Sequence, residues 1–383
     1  MPITPEEKNM TTVNKIKKNT LSADPQTSTI RNSSFETLRI IAMLFIVLSH
    51  ACVHSNFNVS NQPLSFNRVF LQWGTLGNLG VDIFVIISGY FLCNKELLTK
   101  SVSRLLSQVW FYSVSLFFVC SLGFNYHYGI RQLIQVFLPT IFEEYWFFTA
   151  YIVLLLLSPF LNILIKASSR RQLMTLLITM LMLWVVIRTF TSKNMYGTEI
   201  PQLTMFYTIG AYLRNYPDNW LQKKLHRTLI TTVSFLLLFM STVILGILES
   251  KIPALVGKSA FFYHTSSVII VGCAVGLFSI FQNIKPFYNK TINAISGCTF
   301  GVYLIHDNPV VRSILWTELL DNTPYFNSNT LIPRVLLSVL AVFLVCTLIE
   351  FIRKKTIERT LTNIVDSIIN TLIKRIKAFE QIL

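Results

Sequence analysis

The sequence predicts an all-α polytopic membrane protein with about ten transmembrane helices, both termini cytoplasmic and an amphipathic helix at the C-terminus. The first observation is composition: 52% of the 383 residues are hydrophobic, only 13% are charged, and the mean hydropathy is +0.54. The second is a regular series of apolar runs, and the third is the placement of Lys and Arg between them. A soluble domain does not combine these properties.

Ten apolar runs separated by polar residues define the predicted spans. They lie near residues 37–54, 78–93, 105–123, 146–165, 173–190, 201–213, 229–247, 266–282, 294–308 and 331–352. Several are shorter than the roughly 20 residues that a full span needs, and the sixth is the weakest.

The placement of basic residues supports this number of spans and gives their orientation. With the N-terminus inside, about three quarters of the 33 Lys and Arg residues fall on the cytoplasmic side. Loss of one span would destroy this bias. The net charge of +15 therefore follows from membrane topology, and no nucleic-acid partner is expected.

The segments outside the predicted membrane domain, 35–352, are of two kinds. Residues 1–34 are polar and are expected to be a disordered cytoplasmic segment, with Ser33 and Glu36 as a capping box for the first helix. Residues 353–383 combine apolar positions such as Ile364 and Leu372 at helical spacing with several Lys and Arg. We expect a basic amphipathic helix on the anionic cytoplasmic leaflet, with an oligomerisation helix as the alternative.

The first helix carries two ionisable residues, Arg39 and His50, on an otherwise apolar body. Their spacing is close to three helical turns, so both lie on one stripe, roughly 16 Å apart along the axis. Such residues are costly in hydrocarbon and usually face a protein interior or a wet cavity. The alternatives are that Arg39 extends to the nearby interface and that His50 makes a structural hydrogen bond.

Other polar residues gather at the two membrane faces. Five ionisable residues are predicted to share the outer depth of His50: Asp82, Glu143, Glu144, His306 and Asp307. Lys100 and Arg104 gather with Arg39 at the cytoplasmic mouth, although each of the two by itself is better explained as a topology anchor than as a ligand contact. Glu143 and Glu144 could also belong to a solvated loop.

These residue types favour transfer of a group from a cytoplasmic donor to an outward-facing acceptor. A histidine near carboxylates is suited to removing a proton from a hydroxyl, because imidazole titrates near neutrality. Cationic groups on the opposite side suit a donor rich in phosphate. The six scattered cysteines have no spacing typical of a metal site or a disulfide framework, and no metal is predicted.

Several motifs resemble those of the bacterial acyltransferase 3 family, over about residues 35–350. The first is a basic residue and a histidine with ten residues between them, matched by Arg39 and His50. The others are the second-helix pattern Gly80, Val81, Asp82, Phe84, Ser88, Gly89 and Tyr90, the block Tyr145, Trp146, Phe147 and Phe148 ending in Ser158 and Pro159, and the late Tyr303, Leu304, Ile305 and His306. Many members carry a tight pair of arginines where this chain has Lys100 and Arg104.

The resemblance implies an integral-membrane O-acyltransferase of surface polysaccharides. Acetyl-CoA or another acyl-CoA would be the donor substrate, with no bound cofactor, and a polysaccharide or lipid-linked glycan would be the acceptor. His50 would act as general base or acyl carrier, with Asp82 as its candidate partner. Arg39 would either contact the donor or orient the site, and Lys100 and Arg104 would also bind the donor. Further candidate site residues are Glu143, Glu144, Trp146, Tyr303 and His306.

Two other functions remain open at this point. A secondary transporter or flippase for a sugar-lipid or anionic substrate would also use buried His, Arg and carboxylate groups, although no internal repeat is evident. A non-catalytic scaffold or sensor is the third class. The short outer loops and basic inner side are typical of a bacterial plasma membrane protein.

Overall fold

The computed structural model describes residues 31–59, 62–191, 199–249, 251–263 and 267–380, with side chains through residue 375. These ranges contain helices, turns and loops and no β-strand. Residues 1–30 of the segment 1–34, which was predicted to be disordered, lie outside the described residues.

Helices in the first half of the chain are α1 (Ser33–His54), α2 (Phe66–Trp73), α3 (Gly77–Leu92), α4 (Thr99–Gly123), α5 (Ile130–Phe137), α6 (Trp146–Ala167) and α7 (Arg170–Leu181). A π-helical turn, Met182–Val186, joins α7 to α8 (Ile187–Thr191).

Helices in the second half are α9 (Glu199–Asn215), α10 (Lys224–Glu249), α11 (Val268–Gln282), α12 (Lys290–Ser296), α13 (Thr299–His306), α14 (Pro309–Ile314), α15 (Leu331–Thr356) and α16 (Glu358–Glu380). A second π-helical turn, Leu315–Leu319, follows α14.

Each predicted span coincides with a helix or a pair of helices. Among the described residues, seven helical stretches are long and apolar enough to cross a membrane, with α2 and α3 counted as one stretch. The predicted sixth and eighth spans fall on the shorter α9 and α11, and the ninth is broken between α12 and α13. The all-α membrane class is confirmed, while the number ten and the orientation stay predictions.

Glycines allow the central helices to approach at backbone distance. A Cβ on Gly89 of α3 would lie 2.0 Å from Tyr207 O of α9, and one on Gly210 would lie 2.1 Å from Ile86 O. A Cβ on Gly80 would lie 2.4 Å from Ala42 O of α1. Small residues at membrane helix crossings permit such packing, so α3 lies between α1 and α9 in the core.

The first helix begins at Ser33, as predicted, but its start is fixed by a distant segment. In a capping box the Ser33 amide would donate to the Glu36 side chain. Here that amide donates to Phe287 O at 2.8 Å, and the Ser33 hydroxyl donates to Asn293 Oδ1 at 2.8 Å. The Glu36 carboxylate accepts from Ser296 at 2.5 Å. The cytoplasmic end of α1, in the predicted orientation, is therefore attached to α12.

The C-terminal segment starts inside α15 and continues as a separate helix. Helix α15 continues to Thr356, beyond the boundary expected at residue 353. Arg353 is buried within it and donates to Glu350 at 2.7 and 2.9 Å. Helix α16 packs one polar face on α4, where Ser103 donates to Asp366 at 2.8 Å. Ile364, Ile368 and Leu372 are more than half exposed on its other face, which agrees with an amphipathic helix.

Candidate active site

His50, near the C-terminal end of α1, lies against residues at the end of α13. Its Nδ1 is 3.0 Å from His306 Nε2 and 3.4 Å from Asp307 Oδ1. The His50 side chain keeps 17% of its surface exposed, whereas His306 and Asp307 are buried. The structure therefore brings together two predicted site residues and a carboxylate from the same late segment.

The hydrogen bonds around His306 determine where the ring protons lie. His306 Nδ1 is 2.6 Å from Val302 O, and a carbonyl oxygen only accepts, so Nδ1 carries a proton. In neutral His306 the other nitrogen, Nε2, is then an acceptor. The 3.0 Å contact consequently requires His50 Nδ1 to donate, and the lone pair of His50 lies on Nε2.

Asp307 supplies the negative charge beside this pair of histidines. Arg312, in α14, donates to Asp307 Oδ1 at 3.1 Å and orients the carboxylate. A carboxylate at this position would stabilise His50 when it gains a proton. Asp82, the predicted partner, is also fully buried, on α3, but its two oxygens have no hydrogen bond within the described ranges. Asp307 is thus the carboxylate next to His50 in the structure.

Asn308 fixes the loop that carries His306 and Asp307. Its Oδ1 caps α14 by accepting from Val310 N and Val311 N, at 3.2 and 3.3 Å. Its Nδ2 donates to Glu144 Oε1 at 3.2 Å and to Tyr145 Oη at 3.0 Å. Glu144 therefore takes part as a support for the His306 segment.

The remaining outer candidates are spread around this centre. Tyr303 is buried against Tyr145 and Phe147, with ring centroids 6.0 and 5.7 Å away, and its hydroxyl has no partner among the described residues. Trp146 is 40% exposed, and Glu143 is exposed in a left-handed conformation with φ of 53°. The structure does not bring Trp146 or Glu143 to His50.

The cationic candidates lie toward the other end of α1. Arg39 donates to Glu36 at 2.6 Å and lies over the Phe91 ring at 5.9 Å. Lys100 and Arg104 are exposed at the start of α4. Arg39 and Arg104 are both near enough to interact electrostatically with the Tyr151 hydroxyl. These two arginines therefore belong to one region, while no contact joins Lys100 to it.

His54 was not among the predicted site residues, although it follows His50 by one helical turn. The two rings have centroids 5.2 Å apart. One ligand atom from each of His50, His54 and Asp307 lies within 4.8 Å of the others, which is a possible metal-binding arrangement where no metal was predicted. The i, i+4 spacing was a signal in the sequence for His54, and Asn308 before Pro309 is a typical helix start, whereas Arg312 carried no signal.

Comparison with known proteins gives one result. Neither the curated proteins nor the solved structures include a significant match. A family profile described as an acyltransferase domain, of the acyltransferase 3 type, matches residues 32–351. The match runs from α1 into α15 and contains both ends of the site described above, so this multi-pass membrane chain belongs to the acyltransferase 3 family.

Proposed function

We propose that the protein transfers an acetyl or other short acyl group from cytoplasmic acyl-CoA to a hydroxyl of a surface or lipid-linked polysaccharide, in a bacterial plasma membrane. The observation that carries this proposal is the 3.0 Å contact between His50 Nδ1 and His306 Nε2, from which the His50 tautomer follows. Because Nδ1 donates to His306, the basic nitrogen Nε2 is free to receive a proton from an acceptor hydroxyl.

The proton released by the acceptor hydroxyl can be followed through every step of this transfer. The acceptor hydroxyl gives its proton to His50 Nε2 while its oxygen bonds to the thioester carbon. The carbon–sulfur bond then breaks, and the departing CoA thiolate takes the proton back. Asp307, 3.4 Å from His50 Nδ1, stabilises the positive imidazolium in between. A covalent acyl-histidine route would use the same Nε2 lone pair as nucleophile.

The donor would enter at the opposite end of α1. Arg39 and Arg104 would supply positive charge there for the phosphates of acyl-CoA, and Lys100, exposed one turn before Arg104 on α4, would add to it. Arg39 is held by Glu36 at 2.6 Å, so a donor phosphate has to compete with that carboxylate. Since Arg39 and His50 are roughly 16 Å apart along the helix, the acyl arm of the donor must reach through the protein.

An apolar groove supports a lipid-linked acceptor. It has a volume of about 710 Å³ between α2 and α10, with Phe66, Trp73 and Phe235 among its lining residues. The groove can take the hydrocarbon chain of such an acceptor, and the residue after its lining residue Trp73, Gly74, packs against Cys52 of α1, where an added Cβ would be 2.5 Å from Cys52 Sγ.

The test is transfer of labelled acetyl from acetyl-CoA in membranes that contain the wild-type chain, with host envelope glycans as acceptors. We expect alkali-labile label on glycan with the wild type and none with His50→Ala, at equal protein levels. His127→Ala, which removes an exposed histidine, is the matched control and should label glycan normally. Wild-type rates in His50→Ala would refute the role of His50. No label from either protein with several glycans would favour a transporter or scaffold.

A further inference from the structure

His54 has no role in the proton transfer proposed above. It lies one turn beyond His50 and is partly buried, and its ring contacts the His50 ring. Within the part of the chain that the structure describes, no hydrogen bond is made by either of its ring nitrogens. A second imidazole beside His50 and Asp307 therefore needs another explanation.

The geometry of the three side chains suits a transition-metal ion. Zinc ligands at about 2.0–2.2 Å from a tetrahedral ion lie about 3.3–3.5 Å from one another. His50 Nδ1 and Asp307 Oδ1 are already 3.4 Å apart, and all three ligand atoms lie within 4.8 Å. Closing the remaining distance requires about 1 Å of side-chain movement. Two histidines at i and i+4 on one helix are a common arrangement for zinc.

The chemistry and surroundings of the cluster agree with this. Two imidazoles and one carboxylate suit Zn²⁺ better than Mg²⁺ or Ca²⁺, which prefer oxygen ligands. Asp307 is 4% exposed, and Arg312 holds it from outside, as groups around a metal centre often do.

We propose that His50, His54 and Asp307 form a binding site for a zinc-like divalent ion, and that the bound ion inhibits acyl transfer. The second part, inhibition of acyl transfer, rests on the proposed function, whereas the binding site does not. An ion on His50 Nδ1 replaces the proton that this nitrogen donates in its hydrogen bond to His306. The ring of neutral His50 then carries its remaining proton on Nε2, and the lone pair needed for the acceptor hydroxyl is lost.

Binding is measured first, because it does not depend on activity. Purified full-length protein in detergent is freed of metal and titrated with Zn²⁺ against a chromophoric chelator, and Co²⁺ is titrated separately to record its visible absorption. We expect one ion per chain and the intense absorption of tetrahedral Co²⁺. His54→Ala, which removes a ligand, should weaken Zn²⁺ binding roughly tenfold or more.

His127→Ala is the matched histidine control for the titration. Its exposed side chain lies in the loop after α4, so it should bind like the wild type. Absence of stoichiometric binding by the wild type, or equal binding by His54→Ala, would overturn the site.

The inhibitory role is tested by acyl transfer at increasing Zn²⁺, each variant being compared with its own metal-free rate. The wild type should lose transfer as the site fills and recover it with EDTA, whereas His54→Ala should need roughly tenfold more Zn²⁺. Equal sensitivity of the two proteins, or loss of wild-type activity on chelation, would overturn inhibition at this site. If metal-free wild type transfers nothing, the proposed function fails while the binding titration still decides the metal site.

Discussion

Replacing Glu144 by glutamine should stabilise the protein increasingly as the pH rises. Glu144 lies in the loop before α6, outside the membrane-spanning helices, and burial raises its pKa to about 7 from the ordinary 4.5. A carboxyl whose pKa is higher in the folded state than in the unfolded state stabilises the fold fully below the unfolded value. That stability is lost as the pH rises through the folded value, here between about 4.5 and 7.

The hydrogen bonds independently favour a protonated Glu144. The Ser113 hydroxyl lies 2.8 Å from Val136 O and also contacts Glu144 Oε2. The hydroxyl has a single proton, and it goes to Val136 O because a carbonyl oxygen can only accept. The hydrogen bond between Ser113 and Glu144 then requires a proton on the Glu144 carboxyl group. Glutamine reproduces this pattern, because its NH₂ can donate to Ser113 while its oxygen accepts from Asn308.

The magnitude follows from the two pKa values. The difference of about 2.5 units, at 1.36 kcal/mol per unit, is an order-of-magnitude cost of about 3 kcal/mol for ionised Glu144 near pH 8. Near pH 5.5 the same calculation gives about 1 kcal/mol. The stability gained by Glu144→Gln should therefore grow by about 2 kcal/mol between these two conditions, or roughly 2 to 4 °C in melting temperature.

The assay is thermal unfolding of the purified protein in one detergent at both pH values. Glu143→Gln is the matched control, because it makes the same chemical change at the adjacent, exposed position. We expect its melting temperature to follow the wild type at both pH values. A constant offset between Glu144→Gln and wild type across the pH range would refute a buried carboxyl with a raised pKa.

Three further variants test packing and charge. Gly89→Ala places a Cβ 2.0 Å from a backbone oxygen of α9, so little folded protein should survive detergent extraction, whereas Gly123→Ala, in open space, should extract normally. Asp307→Asn keeps the side-chain shape but removes the charge beside His50, and should lower the transfer rate on the order of 100-fold at an unchanged folded yield. Glu36→Gln frees Arg39 from its 2.6 Å ion pair, and should lower the KM for acyl-CoA in initial-rate measurements. An unchanged KM would mean that Arg39 only orients α1.

Much of the helical framework could be predicted from the sequence, because apolar length and the Lys and Arg bias act locally along the chain. The predicted spans coincide with helices, and the Arg39 and His50 faces follow from helical periodicity alone. The break between α12 and α13 at Gly297 and Cys298 was not predicted. Gly297 was interpreted as a close-packing position, although the pair Ser296-Gly297 is also a turn signal.

The partner of His50 could not be decided from the sequence. Asp82 and Asp307 were both assigned to the outer depth, and depth depends only on position within a span. Which of the two touches His50 depends on which helix packs against the last turns of α1. The structure places the end of α13 there, through contacts between residues more than 250 positions apart. Such pairing has no local signature in a single sequence.

The C-terminal helix illustrates a related limit. Its apolar spacing predicted one face on the membrane, and the exposed Ile364, Ile368 and Leu372 agree with that. Its opposite face packs on α4 through the contact between Ser103 and Asp366. A hydrophobic periodicity identifies the apolar side of a helix, but it does not identify a protein partner that binds the polar side.

The two ends of the site are linked by the same pair of segments. At one end α1 is attached to α12 through Ser33 and Glu36, and at the other it is attached to the end of α13 through His50. Arg39 and His50 lie on the same helix, so the helix itself fixes their separation at roughly 16 Å, while the two attachments keep α1 in register with α12 and α13. If the proposed donor binds at Arg39, its acyl arm has to span that length to react at His50.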